Sequence, residues 1–239
     1  MADDDGADAT RTVVTLDGPA GAGKSTTARE VARRLGYRYL DSGALYRALT
    51  FALLEEGVDE VVWGDLDREA LDALGVTVAP VEGTLELGHR GRVLGDELRT
   101  PQVTARVSAV ARLPAVRRWL LRHQQALGRH GRLVTDGRDM GTVVFPEAGT
   151  KVFLQADLDE RARRRLLDQG VRAPGARERQ QAAEKLAARD HADMSRETSP
   201  LRPADDAVVL DTTALDFEEQ VEAVVALARR VDPEAGRRR

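Results

Sequence analysis

Short apolar runs alternate with helical patterns along most of the chain. The runs are Val13–Asp17, Tyr37–Leu40, Leu133–Asp136, Val152–Gln155 and Ala207–Asp211. They are apolar rather than alternating, which is typical of strands covered on both faces. Between them, apolar residues recur at helical spacings, as in Val103/Val107/Val110, Val116/Leu120/Leu127 and Val221/Val224/Leu227/Ala228. Strands that alternate with helices predict an α/β fold with a parallel, doubly wound sheet, whose ligands gather beyond the carboxyl ends of the strands.

The segment from Gly75 to Leu98 breaks this rhythm. Apolar and polar residues alternate there, and Glu82-Gly83 and Arg90-Gly91 are turn dipeptides. Alternation with glycine turns predicts a small antiparallel sheet inserted between the second and third strands of the core. The predicted inserted subdomain covers 63–98, within a core of 12–62 and 99–231.

Composition narrows the class of protein. The chain has 239 residues, 42% of them hydrophobic, and a formal net charge of −4, so we expect one α/β core and no general attraction to nucleic acid or to membranes. It has no cysteine, no apolar run of transmembrane length and no basic-then-apolar start, which predicts a cytoplasmic protein. Residues 1–11 and 232–239 are predicted to be disordered tails; the final three arginines fit either a solvated tail or an RNA contact.

The strongest chemical signal lies directly after the first strand. Gly18-Pro-Ala-Gly-Ala-Gly-Lys-Ser25 matches the phosphate-binding P-loop, in which glycines turn successive N–H groups toward one anion at a helix N-terminus. Strand, glycine loop and helix follow in the required order. Lys24 is expected to reach the terminal phosphates, and the Ser25 hydroxyl to hold Mg²⁺. The predicted ATP-binding residues are Gly18, Pro19, Ala20, Gly21, Ala22, Gly23, Lys24, Ser25 and Thr26.

Charged side chains also follow the second and third strands. After the second strand, Asp41 or Ser42 can cap the next helix, and Arg47 lies one turn into it, where its planar fork suits a phosphate. Capping alone explains the first two residues, but it does not explain the arginine. After the third strand, Asp136 is placed to act through water on Mg²⁺. A salt bridge between Asp136 and Arg138 is the structural alternative.

Arginines recur again in the last third of the chain. Arg161, Arg163, Arg164 and Arg165 lie on a predicted helix that begins near Leu158, and 161, 164 and 165 share a face. Such a run fits solvated charge or a bound polyphosphate. The following 169–177, with glycine and proline, is a candidate hinge of a lid over about 157–196. Beyond it, Arg189, Asp193 and Arg196 are spaced to share one helical face, either for a ligand or as an exposed ion-paired surface.

This array suits transfer between two anionic substrates, where charge must be neutralised. A regulatory GTPase would need a guanine-reading Asn-Lys-x-Asp segment, and an ABC-type ATPase a Leu-Ser-Gly-Gly-Gln signature; the sequence contains neither.

Taken together, the motifs resemble those of the bacterial cytidylate kinases from about Val13 to Leu227. The resemblance rests on Leu16-Asp-Gly-Pro-Ala-Gly-Ala-Gly-Lys-Ser, Leu40-Asp-Ser-Gly-Ala-Leu-Tyr-Arg, Leu98-Arg-Thr-Pro-Gln-Val, Asp136-Gly-Arg-Asp-Met-Gly-Thr-Val-Val-Phe-Pro and Arg189-Asp-x-x-Asp. The P-loop is common to many kinases, whereas the fourth motif is much more specific. The resemblance implies five parallel core strands, an enlarged nucleoside-monophosphate subdomain at 75–98 and a helical lid.

The resemblance also implies an activity and a set of site residues. The activity is transfer of the γ-phosphoryl of MgATP to CMP or dCMP. Lys24, Arg138, Arg161 and Arg165 are expected to be catalytic, since Lys24 and the lid arginines would stabilise the transferring group. The implied CMP-binding residues are Asp41, Ser42, Arg47, Ser108, Arg117, Arg138, Asp139, Arg189, Asp193 and Arg196. Within this set Ser42, Arg47 and Arg138 go with the phosphate, Ser108, Arg117 and Asp139 with cytosine, and Arg189, Asp193 and Arg196 with the sugar and phosphates.

The sequence therefore predicts a monomeric cytidylate kinase with ATP and CMP or dCMP as substrates and Mg²⁺ as cofactor. Two alternatives stay open: a P-loop kinase for another small acceptor, and a nucleotide-dependent switch or binding module without transfer activity.

Overall fold

The computed structural model describes residues 9–81 and 84–236. The helices are α1 (Lys24–Leu35), α2 (Ser42–Glu55), α3 (Arg68–Ala73), α4 (Pro101–Val110), α5 (Pro114–Gly128), α6 (Leu158–Asp168), α7 (Ala176–Met194) and α8 (Phe217–Val231). The strands are β1 (Val13–Asp17), β2 (Arg38–Asp41), β3 (Val76–Val81), β4 (Thr84–His89), β5 (Arg92–Val93), β6 (Leu133–Asp136), β7 (Thr150–Gln155) and β8 (Val208–Asp211). A single π-turn covers Met140–Val144.

The chain divides into two compact units. The first comprises the described residues of Met1–Tyr37 and Gly128–Arg239, and the second those of Arg38–Leu127. The second unit is wider than the predicted subdomain at 63–98, whose bounds stay a prediction. No helix in the described part of the chain is both long and apolar enough to cross a membrane.

The core sheet has five strands in the order β2-β6-β1-β7-β8. Strand β1 pairs in parallel with β6 on one side and β7 on the other, and β7 pairs in parallel with β8. The predicted five-stranded α/β fold is confirmed. Leu16 lies opposite Asp136, so the ends of β1 and β6 are level. Whatever follows these two strands in sequence therefore begins at the same edge of the sheet.

Helix α1 is a clear example of how the pattern produces the fold. Ala28, Val31, Ala32 and Leu35 recur at helical spacing and are all buried. Gly36 ends the helix with a φ of 65°, a left-handed conformation that glycine adopts without steric cost. Helix α8 packs against α1, and its start is fixed by a capping box between Asp216 and Glu219.

The second unit contains the predicted antiparallel sheet. Strands β3 and β4 pair over their full lengths, and β4 pairs with β5. Arg90 and Gly91 form the second turn, both with positive φ (47° and 80°), as a tight hairpin requires. The other predicted turn, Glu82-Gly83, lies outside the described residues. In the same unit, α2 packs against α4 and against β4.

Several predicted boundaries are wrong by a residue or more. The second strand runs over Arg38–Asp41, one residue later than predicted, because Tyr37 still belongs to the turn after α1 and donates its hydroxyl to Asp232. Strand β8 is not covered on both faces, since Val208 and Val209 are exposed. Of the predicted tails, 1–8 and 237–239 lie outside the described residues, and Ala235 is buried.

Candidate active site

The loop between β1 and α1 has the backbone of a phosphate cradle. Gly18, Gly21 and Gly23 have φ values of 146°, 78° and 83°. A Cβ atom at Gly18 would lie 2.0 Å from the carbonyl oxygen of Leu154 on β7, so no other residue fits there. Helix α1 begins at Lys24 and has no acidic residue in its first turn. Its N-terminal N–H groups are therefore placed to receive an anion.

Lys24 is buried among other charges. Its Nζ donates to the carbonyl oxygen of Pro19, five residues back in the loop, at 2.6 Å. Burial lowers the pKa of Lys24 well below its ordinary value, and the nearby charges of Arg138 and Arg189 also lower it, against the opposing effects of Asp136 and Asp17. Positive charges gathered at this depth repel one another, and a bound polyanion would relieve that repulsion.

The two predicted metal ligands are in direct contact. The Ser25 hydroxyl in the first turn of α1 donates to Oδ2 of Asp136 at 2.6 Å. Parallel pairing of β1 with β6 explains the contact, because it brings the end of β6 beside the start of α1. A hydroxyl and a carboxylate are hard oxygen donors, the type that Mg²⁺ prefers, so these residues fit the predicted ion.

Arg138 binds a carboxylate of α7. Its Nε donates to Oδ2 of Asp193 at 2.7 Å, and Arg196 donates to the other oxygen of the same carboxylate. Asp193 is 2% exposed, so this cluster is a buried one rather than an exposed ion-paired surface. The prediction that 189, 193 and 196 share a helical face is wrong in one respect: α7 ends at Met194, and Arg196 lies beyond it.

A carboxylate that the sequence analysis left without a role holds the segment after β6. Asp17 at the end of β1 accepts hydrogen bonds from the backbone N–H groups of Met140 and Gly141, at 2.9 and 2.8 Å. These groups begin the π-turn that follows Asp139, which is itself buried. Burial raises the pKa of Asp17 to about 7, against the lowering effect of the two N–H groups.

Helices α6 and α7 pack against each other and carry the predicted lid arginines. Arg165 is exposed on α6. Arg161 is buried, and all three of its hydrogen-bond partners belong to the protein: the carbonyl oxygens of Ala156 and Ala20, both at 3.0 Å, and the carboxylate of Asp190. The predicted phosphate-contacting role of Arg161 stays a prediction. Arg164 is also engaged, with Glu160 and Thr212.

In the second unit, the predicted phosphate residues lie at the start of α2. Asp41 is the N-cap, and it accepts from the backbone N–H of Ala44 at 2.9 Å. The capping prediction is therefore confirmed for Asp41, and Ser42 is buried beside it. Arg47 donates from Nη1 to the carbonyl oxygen of Leu98 (3.1 Å) and to the hydroxyl of Thr104 (3.0 Å).

The predicted base-reading residues of this unit lie on α4 and α5. Ser108 is half-buried on α4. Arg117 on α5 donates to the carbonyl oxygen of Ala111 at 3.2 Å, and its guanidinium carbon lies 5.8 Å from the centre of the Tyr46 ring. Arg117 therefore lies against the residue that precedes the predicted phosphate arginine, Arg47, on α2.

Sequence reasoning missed two acidic residues of the first unit, Asp17 and Asp190. Both lie inside quoted motifs, Leu16-Asp-Gly and Arg189-Asp-x-x-Asp. The available signal was that each is an acidic residue in an otherwise basic or apolar motif. Their partners, however, lie far along the chain.

A parallel sheet, a glycine cradle before α1 and a serine–aspartate pair at adjacent strand ends together define a P-loop kinase. Comparison with known proteins gives the family. The profile of the family described as "Cytidylate kinase" matches residues 14–230. The chain belongs to the cytidylate kinase family, as its motifs predicted.

Individual relatives agree with this assignment. A cytidylate kinase of Pseudomonas aeruginosa (strain UCBPP-PA14) is 46% identical over 225 residues, covering 91% of this chain and 95% of that protein. One of Bacillus cytotoxicus is 42% identical over 217 residues, covering 91% and 96%. A bifunctional pantoate ligase/cytidylate kinase of Synechococcus sp. (strain RCC307) is 46% identical over 222 residues. The match covers 92% of this chain but 43% of that longer protein.

Proposed function

We propose that this chain transfers the γ-phosphoryl group of ATP to CMP, and also to dCMP, giving ADP and CDP or dCDP. The observation that carries the proposal is the buried Lys24 at the end of a glycine cradle, surrounded by the charges of Arg138, Arg189 and Asp136. A site of this kind suits a reaction in which two polyphosphate groups meet, since their charge must be neutralised away from water. Membership of the cytidylate kinase family supports CMP as the acceptor.

ATP binds along Gly18–Thr26 in this proposal. The backbone N–H groups of the loop and of the first turn of α1 receive the β- and γ-phosphates. Lys24 then exchanges its bond with the Pro19 carbonyl for a bond with phosphate, and its charge moves with the transferring group. Because the lysine is already buried, its charge interacts with the phosphates in a medium that screens it weakly.

Magnesium is the proposed cofactor. Ser25 and, through water, Asp136 would hold it, since both offer oxygen donors at one place. When bound, the ion neutralises charge on the β- and γ-phosphate oxygens. The Ser25–Asp136 hydrogen bond holds the two proposed ligands together.

The acceptor is bound by arginines and by an acceptor–donor set for the base. From the first unit we propose Arg138, Asp139, Arg189, Asp193 and Arg196. From the second we propose Asp41, Ser42, Arg47, Ser108 and Arg117. Asp193 has a further part in this scheme, because it holds Arg138 and Arg196 with its two oxygens. Arg165 is proposed to neutralise the transferring group, and Arg161, which binds Ala20 and Asp190, is proposed to act on the loop instead.

The chemistry needs no general base. The phosphate of CMP is largely doubly ionised at neutral pH, because its second pKa is about 6, so its oxygen can attack the γ-phosphorus directly. The protein contributes alignment of the attacking and leaving oxygens and neutralisation of charge. Buried Asp139 and half-buried Ser108 would accept from the cytosine amine, while Arg117 donates to the ring and carbonyl acceptors; uracil would place an acceptor against the acceptors.

A cytoplasmic location, a role in pyrimidine nucleotide metabolism and a monomeric state belong to the same proposal. The first two are supported by the proposed substrates, ATP and CMP, which are nucleotides of the cytoplasm.

The experiment is an acceptor screen. Purified protein with ATP and Mg²⁺ is given CMP, dCMP, UMP, AMP, shikimate or gluconate in turn, and ADP formation is followed in a coupled assay. We expect rapid turnover with CMP and dCMP. Turnover with another acceptor alone would support a different P-loop kinase. ATP binding with no turnover on any acceptor would support a binding module.

A further inference from the structure

Ala20, the third residue of the P-loop, is held on both sides of its backbone by one ion pair. Its N–H donates to Oδ1 of Asp190 at 2.8 Å, and its carbonyl oxygen accepts from Nη1 of Arg161 at 3.0 Å. The other oxygen of Asp190 accepts from the same nitrogen of Arg161. Arg161 belongs to α6 and Asp190 to α7, so both helices are tied to a single residue of the loop.

The surroundings of this pair are dry. Arg161 is 9% exposed and Asp190 is 5% exposed. Ala20 packs in an apolar cluster with Ala162 of α6 and Leu186 of α7. Breaking a buried pair of this kind by removing one partner leaves an uncompensated charge, which is strongly unfavourable. The contact therefore holds the loop and the two helices in one arrangement.

The charges of the pair explain how a carboxylate can lie against an anion-binding loop. Without a positive partner, the Asp190 carboxylate would repel bound polyphosphate. Arg161 neutralises the charge of this carboxylate by pairing with it. The carboxylate then acts as an acceptor that turns the Ala20 N–H away from the phosphate cradle. An acceptor fixed in this way sets the direction of the peptide groups around it.

We propose that Arg161 and Asp190 are positioning residues that set the conformation of the P-loop for ATP. The pair also fixes the loop relative to α7, which carries Arg189 and Asp193 on either side of Asp190. Neither residue touches a phosphate. The inference rests on the proposed function, because ATP is the ligand whose binding it governs.

The test is the affinity for ATP, measured with a fluorescent ATP analogue on Asp190→Asn. Positioning predicts that ATP binds roughly tenfold more weakly, as expected for loss of one charge-assisted hydrogen bond. If Arg161 instead contacted phosphate directly, this substitution would remove a nearby negative charge and release the arginine, and ATP would bind more tightly. The two accounts therefore differ in the sign of the change.

A double-mutant cycle adds a readout that a general loss of stability would not give. Arg161→Met and Asp190→Asn should each weaken ATP binding. The double variant should bind ATP no more weakly than the weaker of the two single variants, because each substitution breaks the same ion pair. The matched control is the exposed pair Asp159–Arg179, which joins the same two helices at the surface. Asp159→Asn and Arg179→Gln should leave ATP affinity unchanged.

The unaltered protein supplies an independent test should the variants fail to fold. Hydrogen exchange of the Ala20 amide in the nucleotide-free protein should be at least tenfold slower than in an unfolded peptide, and addition of ADP should change it little. Fast exchange that slows only when nucleotide binds would overturn the proposal.

Failure of the proposed function has a different signature. The wild-type protein would then show no CMP-dependent ADP formation, whatever the variants do. Failure of the positioning proposal alone would leave wild-type activity intact and the ATP affinity of Asp190→Asn unchanged or increased.

Discussion

Ionisable side chains are buried at the carboxyl ends of β1 and β6. Asp17 and Asp136 end these strands, Asp139 follows the second, and Lys24 opens the helix after the first. The three carboxylates have different partners. Asp17 accepts hydrogen bonds from the π-turn, and Asp136 accepts one from the Ser25 hydroxyl. Asp139 is proposed to bind the base. Burial keeps water from screening the charges of this site, and the proposed activity makes use of that.

Lys24→Ala should lower kcat by roughly 10³-fold or more, because the moving charge of the transferred group loses its partner. Circular dichroism and thermal melting should show that the variant is folded. Lys185→Ala is the control, since Lys185 is exposed on α7 and should retain wild-type turnover. Turnover near the wild-type value in Lys24→Ala would contradict the P-loop mechanism.

Asp139→Ala and Ser108→Ala test the reading of the base. Each removes an acceptor proposed to face the cytosine amine, which costs about 1–3 kcal/mol in a dry site. We expect kcat/KM for CMP to fall much more than kcat/KM for UMP, while the affinity for ATP changes little.

Steady-state kinetics of both variants with CMP and with UMP test whether Asp139 and Ser108 bind the base. An equal loss for CMP and UMP would mean that these residues organise the fold or the phosphates instead.

At this scale the sequence predicted contacts that follow from neighbouring strands. Ser25 and Asp136 meet because β1 and β6 are adjacent, and the sequence analysis had assigned both to one Mg²⁺ ion. It did not predict the Arg161–Asp190 pair, whose members are 29 residues apart on two helices. Their meeting depends on how α6 packs on α7, and no local pattern carries that information.

Elements in the core were predicted more accurately than those at its edges. Strands β1 and β6 have the predicted bounds, since both are apolar and fully buried. Strand β8 has the same apolar pattern and yet is exposed. It is an edge strand, but so is β2, whose Tyr39 and Leu40 are buried. An apolar pattern indicates that a strand can be buried, whereas the elements that pack against the strand decide whether it is.

Gly18→Ala tests the fit between the P-loop and the neighbouring strand. A Cβ atom there would lie 2.0 Å from the Leu154 carbonyl oxygen, so β7 or the loop must move. We expect a loss of roughly 2 kcal/mol or more in the free energy of unfolding, together with weaker ATP binding.

Gly36→Ala provides the comparison. Its φ is also positive, at 65°, but a Cβ atom there meets nothing within 4 Å. Gly36→Ala should lower the free energy of unfolding by about 1 kcal/mol and leave the affinity for ATP unchanged. Urea unfolding and nucleotide titration of both variants separate steric overlap from backbone strain, and equal effects would contradict the steric account.

For the molecule as a whole, we expect the free energy of unfolding to depend on pH through the ionisation of Asp17. The folded pKa of Asp17 is about 7, against 3.8 ordinarily, so the folded state keeps a proton that the unfolded state has lost. Stability therefore falls as pH rises from about 4 to 7. A separation of about three pH units corresponds to about 4 kcal/mol.

Asp17→Asn removes this titration. The free energy of unfolding of the wild type relative to the variant should decrease between pH 4.5 and pH 7.5 when both are unfolded in urea. A difference that stays constant over this range would show that burial does not raise the pKa of Asp17.

The central claim is that the γ-phosphoryl group of ATP passes to the phosphate of CMP. The most direct measurement follows the label from γ-³²P-ATP in the presence of Mg²⁺ and CMP, with nucleotides separated by chromatography. We predict that label appears in CDP at the rate at which ADP forms, and that Lys24→Ala abolishes both. Label released as inorganic phosphate, or unlabelled CMP recovered while ADP accumulates, would contradict the account.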